Sequence, residues 1–413
     1  MNKVISVLDK HILVDGFHVV ADLEKSKGSW VVDAETGKKY LDCYSQFASQ
    51  ALGWNCPALK ERMAGVSSVH KLANSDMYSQ QYAAFVEEFA SITPDFEHYF
   101  FIEGGALGVE NALKAAFDWK IQKLQNEHKQ FVYDTEVELD VIHLYGAFHG
   151  RTGYTLSLTN TGALKTKWFP KFNWTRIGNP AIRYERFHHI EHRSIQDAEK
   201  ALEKGNVAAI ILEPIQGEGG DNHFRIEYFK KLRELADQYE AMLILDEVQT
   251  GVGMTGRMWC YEHFDIVPDI LCFGKKSQVC GFAATNRIDD IEDNVFNVSG
   301  RINSTWGGNF IDMIRATHIF QIIKEQNLVA NAGEVGTYFL EQLRELGLEN
   351  ARGRGLMLAF DLKSEQIRDE VMTRLSENML ALKCGSRSIR FRPHLTFSKE
   401  DVDTAISYIK KSI

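Results

Sequence analysis

Ala241-Met242-Leu243-Ile244-Leu245 is an unbroken apolar run that ends on a carboxylate, Asp246. A run this short and this apolar reads as a strand covered on both faces. The pattern recurs on either side of it. Upstream lie His98 to Ile102 (HYFFI), Leu139 to Leu144 (LDVIHL) and Val207 to Leu212 (VAAIIL). Downstream lie Ile270 to Phe273 (ILCF) and Gly281 to Thr285 (GFAAT). Helical patterns separate them: Val109, Ala112, Leu113, Ala116 and Phe117 share one face, and a second helix runs from about Ile226 to Tyr239. Strands alternating with helices predict an α/β fold around a mainly parallel sheet.

Beyond Phe310 the pattern changes. Two long helical stretches, Phe310 to Gln326 and Leu328 to Leu346, precede a strand at Leu356 to Leu362, a helix and a further strand at Ser388 to Arg392. Ser398-Lys399-Glu400-Asp401 resembles a capping box opening a last helix. This end reads as a smaller α+β domain, which the first residues, with a turn at Glu35-Thr36-Gly37, join or cross. The expected division is an N-terminal segment, 1–75, contributing to the small domain, a large domain, 76–310, and a C-terminal small domain, 311–413.

Composition excludes several classes. At 44% hydrophobic and 25% charged, the chain can bury a full core. A net charge of -9 argues against a nucleic-acid footprint, which needs a basic face. No secretory h-region or bilayer-length apolar stretch is present, so no membrane partner is expected. The six cysteines are scattered and never spaced as CxxC. They suggest a reduced, cytoplasmic setting and no zinc. His188-His189-Ile190-Glu191-His192 has the spacing of an inverted zinc-peptidase motif. Its flanks lack an apolar stripe, so a solvated charged segment is expected and no metal.

In open parallel sheets ligands bind beyond the carboxyl ends of the strands, and unusual residues collect there. Asp246 ends a buried run, where a carboxylate needs a partner. Lys275 follows ILCF and Gly274; partial desolvation would free its amine as a nucleophile. Lys276 is adjacent, and periodicity does not choose between the two. Gly104-Gly105-Ala106 opens a helix straight after a strand, leaving backbone N–H groups for an anion. Phe148-His149-Gly150-Arg151 offers a ring face and a carboxylate clamp. Each feature alone has a plain structural reading: cap, surface lysine, turn, packing ring. Gly217-Glu218-Gly219-Gly220 lacks the ending of a phosphate loop and reads as a flexible turn near the site. Together they ask for one ligand with a phosphate, a flat ring, a ring nitrogen and an aldehyde, and pyridoxal 5'-phosphate has all four.

Here the chain resembles the class III (omega) aminotransferases of fold type I. Leu245-Asp246-Glu247-Val248-Gln249-Thr250-Gly251 is similar to the family's DEVQTG signature, and Pro268-Asp269-Ile270 with Gly274-Lys275 to its PDI…K segment. The match runs from Gly37-Lys38-Lys39-Tyr40-Leu41-Asp42 to Arg390-Phe391-Arg392-Pro393 and selects Lys275 over Lys276. Where many members carry SGTEAN this chain has Glu103-Gly104-Gly105-Ala106-Leu107-Gly108, and Gly53-Trp54-Asn55-Cys56-Pro57 stands in place of GxxHP. Four segments are most similar to the branch acting on the ε-amine of lysine: EGGAL from Glu103, EPIQGEGGDNHFR from Glu213, GKKSQVCG from Gly274 and NSTWGGN from Asn303.

The resemblance implies a seven-stranded, mainly parallel sheet in the large domain and a homodimer with active sites at the subunit interface. It implies that Lys275 holds the cofactor covalently and moves the substrate proton, and that Asp246 keeps the ring nitrogen protonated. Gln249 would bond the ring hydroxyl and Phe148 would stack on the ring. Gly105 and Ala106 would bind the phosphate, with Thr305 reaching it from the other subunit. Substrate binding would fall to Arg151, for the α-carboxylate of L-lysine, and Arg390, for that of 2-oxoglutarate. Glu218 would neutralise Arg390 in lysine's turn, and Asn303 would support the pocket. Other omega-aminotransferases, for ornithine, 4-aminobutyrate or diamines, and an aminomutase are the competing readings.

Overall fold

The computed structural model describes residues 3–66, 69–128 and 138–413. The chain enters through a hairpin of β1 (Trp30–Val32) and β2 (Lys39–Asp42). Asp33 Oδ1 caps its turn, accepting from the N–H groups of Glu35 and Thr36 at 2.8 and 2.9 Å.

The main sheet has seven strands. In chain order they are β3 (His98–Ile102), β4 (Asp140–Leu144), β5 (Arg176–Ile177), β6 (Val207–Leu212), β7 (Met242–Asp246), β8 (Ile270–Phe273) and β9 (Cys280–Ala284). Their order across the sheet is β3-β9-β8-β7-β6-β4-β5. From β8 to β5 every pairing is parallel, and β9 runs antiparallel to both neighbours. β3 therefore points the same way as the parallel strands.

Every residue of β6, β7 and β8 is buried. Although the runs are uniformly apolar, they still alternate between two cores. Ala209, Ile211, Met242, Ile244, Ile270 and Cys272 pack with Val109, Ala112, Leu113, Ala116 and Trp119 of the helix Gly105–His128. Ile210, Leu212, Leu243, Leu245, Leu271 and Phe273 face the other side, with Tyr228, Phe229, Leu232 and Leu235 of the helix Ile226–Gln238. Covering both faces is what allows a sheet without polar alternation. The helix Gly105–His128 crosses β9 at backbone distance. A Cβ on Gly108 would lie 2.8 Å from the Gly281 carbonyl oxygen, and one on Gly281 1.9 Å from that of Phe100. Glycine at 108 lets the helix approach β9, and glycine at 281 lets β9 lie close against β3.

The rest of the chain forms β10 (Glu349–Arg354), β11 (Met357–Asp361), β12 (Met379–Leu380), β13 (Leu382–Cys384) and β14 (Ser388–Phe391). β10, β11, β14 and β13 make an antiparallel sheet, and β12 pairs parallel with β2, tying the two ends of the chain together. Ser398 and Asp401 form the capping box of the helix Lys399–Ser412.

One expectation is sharpened and one corrected. His188, His189 and His192 are exposed, as a solvated charged segment should be, and they lie in the first part of a helix, Phe187–Leu202, whose inner face is Glu191, Ser194, Ala198, Ala201 and Leu202. Small residues and a carboxylate bonded to Arg225 at 3.3 Å replace the usual large apolar stripe. The turn at 217–220 is packed: Gln216 and Asn222 pair across it, and Arg352 donates to the Gly220 and Asp221 carbonyls at 2.6 and 2.9 Å. Among the described residues no helix is long and apolar enough to cross a membrane.

Candidate active site

A cavity of about 1430 Å³ lies at the carboxyl edge of the main sheet. Five of the six strands that point there deliver part of the lining, the short edge strand β5 being the exception: Gly105 and Ala106 follow β3, Phe148 to Thr152 follow β4, and Glu213, Ile215 and Glu218 follow β6. Asp246, Val248 and Gln249 come with β7, and Lys275 follows β8. Arg390, on β14, closes the far side.

Asp246 is the last residue of β7 rather than the first one beyond it. It is buried, and both its oxygens are engaged. His149 Nδ1 donates to Oδ2 at 2.8 Å, and the Val248 N–H donates to Oδ1 at 3.1 Å. The imidazole fixes how the carboxylate faces the cavity. His149 carries no role in the sequence reading, because nothing local marks a bond between residues 97 apart. Its Nε2 is buried and without a partner among the described residues.

The two lysines face different ways. Lys275 lines the cavity, and burial lowers its proton affinity below that of an ordinary lysine while Asp246 opposes the shift. Its φ of 54° is left-handed, an uncommon state for a residue with a side chain. Lys276 is buried behind it, donating to the Ala48 carbonyl at 3.0 Å and the Gln249 carbonyl at 3.4 Å. Ala48 ends a turn, Ser45 to Ala48, in which all four residues have φ between 45° and 69°. Without glycine, left-handed backbone costs about 1–2 kcal/mol per residue. Gln46 and Phe47 of this turn line the cavity, and Gln278 Nε2 holds the next carbonyl, Ser49, at 3.0 Å. Strain of this kind persists where surrounding contacts over-determine it.

Glu218 stands between two cations. Arg390 Nη2 donates to its Oε2 at 2.6 Å, and Lys165 Nζ donates to Oε1. Burial raises its pKa, but the two cations hold it below the usual carboxylate range. Arg390 keeps Nε and Nη1 buried and without a partner among the described residues. The turn carrying Glu218 is anchored from below by a buried, two-pronged ion pair between Asp221 and Arg392. Arg392 Nε also donates to Gln249 Oε1 at 3.1 Å. A Cβ on Gly217 would lie 2.2 Å from that same oxygen, so the turn approaches Gln249 only as glycine. Glu213 sits beneath, accepting from the N–H groups of Phe148 at 2.9 Å and Gly217 at 3.0 Å. Burial pushes it up to about 7.

Of the residues singled out by sequence, Gly105, Ala106, Phe148, Arg151, Glu218, Asp246, Gln249, Lys275 and Arg390 share this cavity. Arg151 is exposed, and Phe148 is half-buried with Lys165 Nζ 5.5 Å from its ring centre. Asn303 and Thr305 are not among the lining residues of their own chain. Both are exposed, with Asn303 Oδ1 accepting from the Ser304 N–H and the Thr305 carbonyl from Ser75 Oγ. The donor set fits a phosphorylated pyridine aldehyde: a helix N-terminus, a ring face, a buried carboxylate and a desolvated amine converge, and unpartnered guanidinium nitrogens await an anion.

Comparison with known proteins agrees with this chemistry. The aminotransferase class-III family model matches residues 14–413. The chain is 46% identical to an L-lysine-epsilon aminotransferase of Mycobacterium tuberculosis, over 100% of this chain and 95% of the relative. It is 45% identical to one of Streptomyces clavuligerus, over 98% and 93%. A solved lysine aminotransferase from M. tuberculosis superposes with a TM-score of 0.95 at 46% identity, covering 100% of this chain and 98% of that one. The chain belongs to the class-III aminotransferases, enzymes that work with pyridoxal phosphate.

Proposed function

We propose that the protein transfers the ε-amino group of L-lysine to 2-oxoglutarate. The products are L-glutamate and 2-aminoadipate 6-semialdehyde, which closes on its own α-amine to 1-piperideine-6-carboxylate. The observation that carries this reading is the Glu218–Arg390 pair inside the cavity, with two arginine nitrogens that have no partner among the described residues. A site for both substrates must first accept an amine at the end of an uncharged methylene chain and then a keto group beside a carboxylate. Arg390 suits the second task and hinders the first. Glu218 removes the hindrance by neutralising Arg390, and swings away from that arginine when the keto acid arrives. Relatives at 44–46% identity carry the name L-lysine-epsilon aminotransferase, which supports lysine as the donor.

Bound pyridoxal phosphate supplies an aldehyde for amines and an electron sink for the bond being broken. The chain's own groups do the rest. The Lys275 amine, its proton affinity lowered by burial, holds the cofactor and carries the proton at the reacting carbon. Asp246, oriented by His149, keeps a proton on the ring nitrogen. Gln249 gives its carbonyl to Arg392, which leaves its amide nitrogen to donate to the ring hydroxyl. Phe148 stacks on the ring, and the N–H groups of Gly105 and Ala106 hold the phosphate at the start of a 24-residue helix. Arg151 grips the α-carboxylate of lysine.

The active form in this reading is a cytoplasmic homodimer, in which the partner subunit's Thr305 reaches the phosphate and the partner subunit's Asn303 supports the pocket. Exposed Leu164, Trp168 and Phe169 are apolar surface suited to such a contact, and six free cysteines suit a reduced compartment. The test is a donor panel with 2-oxoglutarate as acceptor, trapping the cyclised product with an aldehyde-reactive dye. Lysine is expected to exceed ornithine and 4-aminobutyrate, and omission of 2-oxoglutarate to stop turnover. Faster reaction with ornithine or 4-aminobutyrate would replace lysine as donor, and turnover without a keto acid would point to an aminomutase.

A further inference from the structure

We infer that Lys165 is a positioning residue for the acceptor half-reaction, keeping hold of Glu218 when Arg390 releases it to an incoming carboxylate. The inference rests on the function proposed above. Glu218 is bonded at once to Arg390, through Oε2, and to Lys165, through Oε1. The two cations differ in setting. The Arg390 side chain is 3% exposed, whereas that of Lys165 is 35% exposed, on a short helix at the cavity wall. Lys165 Nζ also lies 5.5 Å from the centre of the Phe148 ring, which helps fix the ammonium at the wall.

A carboxylate that left Arg390 with nothing to receive it would be a lone charge in a partly desolvated cavity, which is strongly unfavourable. Because Glu218 is shared, it can give up one partner and keep the other. The cluster of two cations and one carboxylate also carries one unit of excess positive charge. An acceptor's carboxylate on Arg390 neutralises that excess without Glu218 leaving the site. Lys165 therefore lowers the cost of exposing Arg390 to a dicarboxylate, and it does so through Glu218 rather than by touching the ligand.

The coupling is measurable without turnover. Glutarate, a dicarboxylate with no keto group, is titrated into the holoenzyme by calorimetry for wild type, Lys165→Met, Lys165→Arg, Glu218→Ala and the double variant Lys165→Met/Glu218→Ala. Lys165→Met is expected to weaken glutarate binding about tenfold, and Lys165→Arg to restore it to within about threefold. In the Glu218→Ala background, adding Lys165→Met changes affinity by about twofold or less, because no carboxylate is left to hold. Wild-type affinity in Lys165→Met, or full weakening that persists without Glu218, would overturn the inference. The latter would make Lys165 a direct ligand of the dicarboxylate. The titration reads this coupling and the donor panel reads the choice of lysine, so the two fail separately.

Discussion

Asp246, on the floor of the cavity, has fixed partners in His149 and Val248, and Lys276 is locked onto two backbone carbonyls behind Lys275. Glu218, on the far wall, divides its two oxygens between two cations. The floor stands on the ends of fully buried strands. The wall is assembled from a turn, a four-residue helix and a strand of the second sheet. A cofactor retained through every cycle needs groups that do not move. A pocket that takes two unlike substrates in turn needs charges that can change partners. The difference teaches where to expect rigidity and where to expect exchange.

The sharpest break of this comparison is on the floor. Lys275→Ala is expected to lower kcat by about 10⁴-fold, as loss of a positioned proton carrier does, and Lys276→Met to act on stability and on the 45–48 turn instead. Borohydride reduction followed by peptide mapping checks the assignment, with the label expected on Lys275. On the wall, Glu218→Ala leaves Arg390 uncompensated beside a methylene chain. It is expected to lower kcat/KM for lysine roughly 10- to 100-fold while the half-reaction with 2-oxoglutarate is affected least; single-turnover rates of the two halves measure the split. Equal losses in both halves would remove the distinction between floor and wall.

The smallest effect concerns Glu213, which joins the two regions by accepting from Phe148 on one and Gly217 on the other. Burial raises its pKa from an ordinary 4.5 to about 7. A carboxyl whose pKa is raised on folding contributes stability that is complete below the unfolded value and is lost as pH rises through the folded one. Stability should therefore fall between about pH 4.5 and 7 from this group. Glu213→Gln, which keeps an acceptor oxygen, is expected to flatten that slope, with a change in Tm of a few degrees across the window. Thermal unfolding at several pH values measures it.

Much of the floor was legible in the sequence because its groups sit at the ends of uninterrupted apolar runs. AMLIL leads into Asp246 and ILCF leads to Lys275, and the sheet's connectivity brings such ends to one edge. Strand β5, with two residues, offers no periodicity to read. The helix Phe187–Leu202 was hidden because its inner face is Ser, Ala and an ion-paired Glu. The left-handed turn Ser45–Ala48 contains no glycine, so local composition does not announce it. His149 and Lys165 are defined by bonds to residues 97 and 53 positions away, which no local pattern encodes. The Lys275–Lys276 ambiguity had the same origin: the two differ in what lies across the fold from them.

The most direct test of the proposed reaction is to follow the nitrogen itself. The holoenzyme is given 2-oxoglutarate with lysine carrying a heavy-nitrogen label either on the ε-amine or on the α-amine, and the glutamate formed is analysed by mass spectrometry. Label in glutamate from the ε-position only, with the α-label retained in the cyclised product, is the predicted result. Label arriving from the α-position, or glutamate formed with neither label, would contradict it.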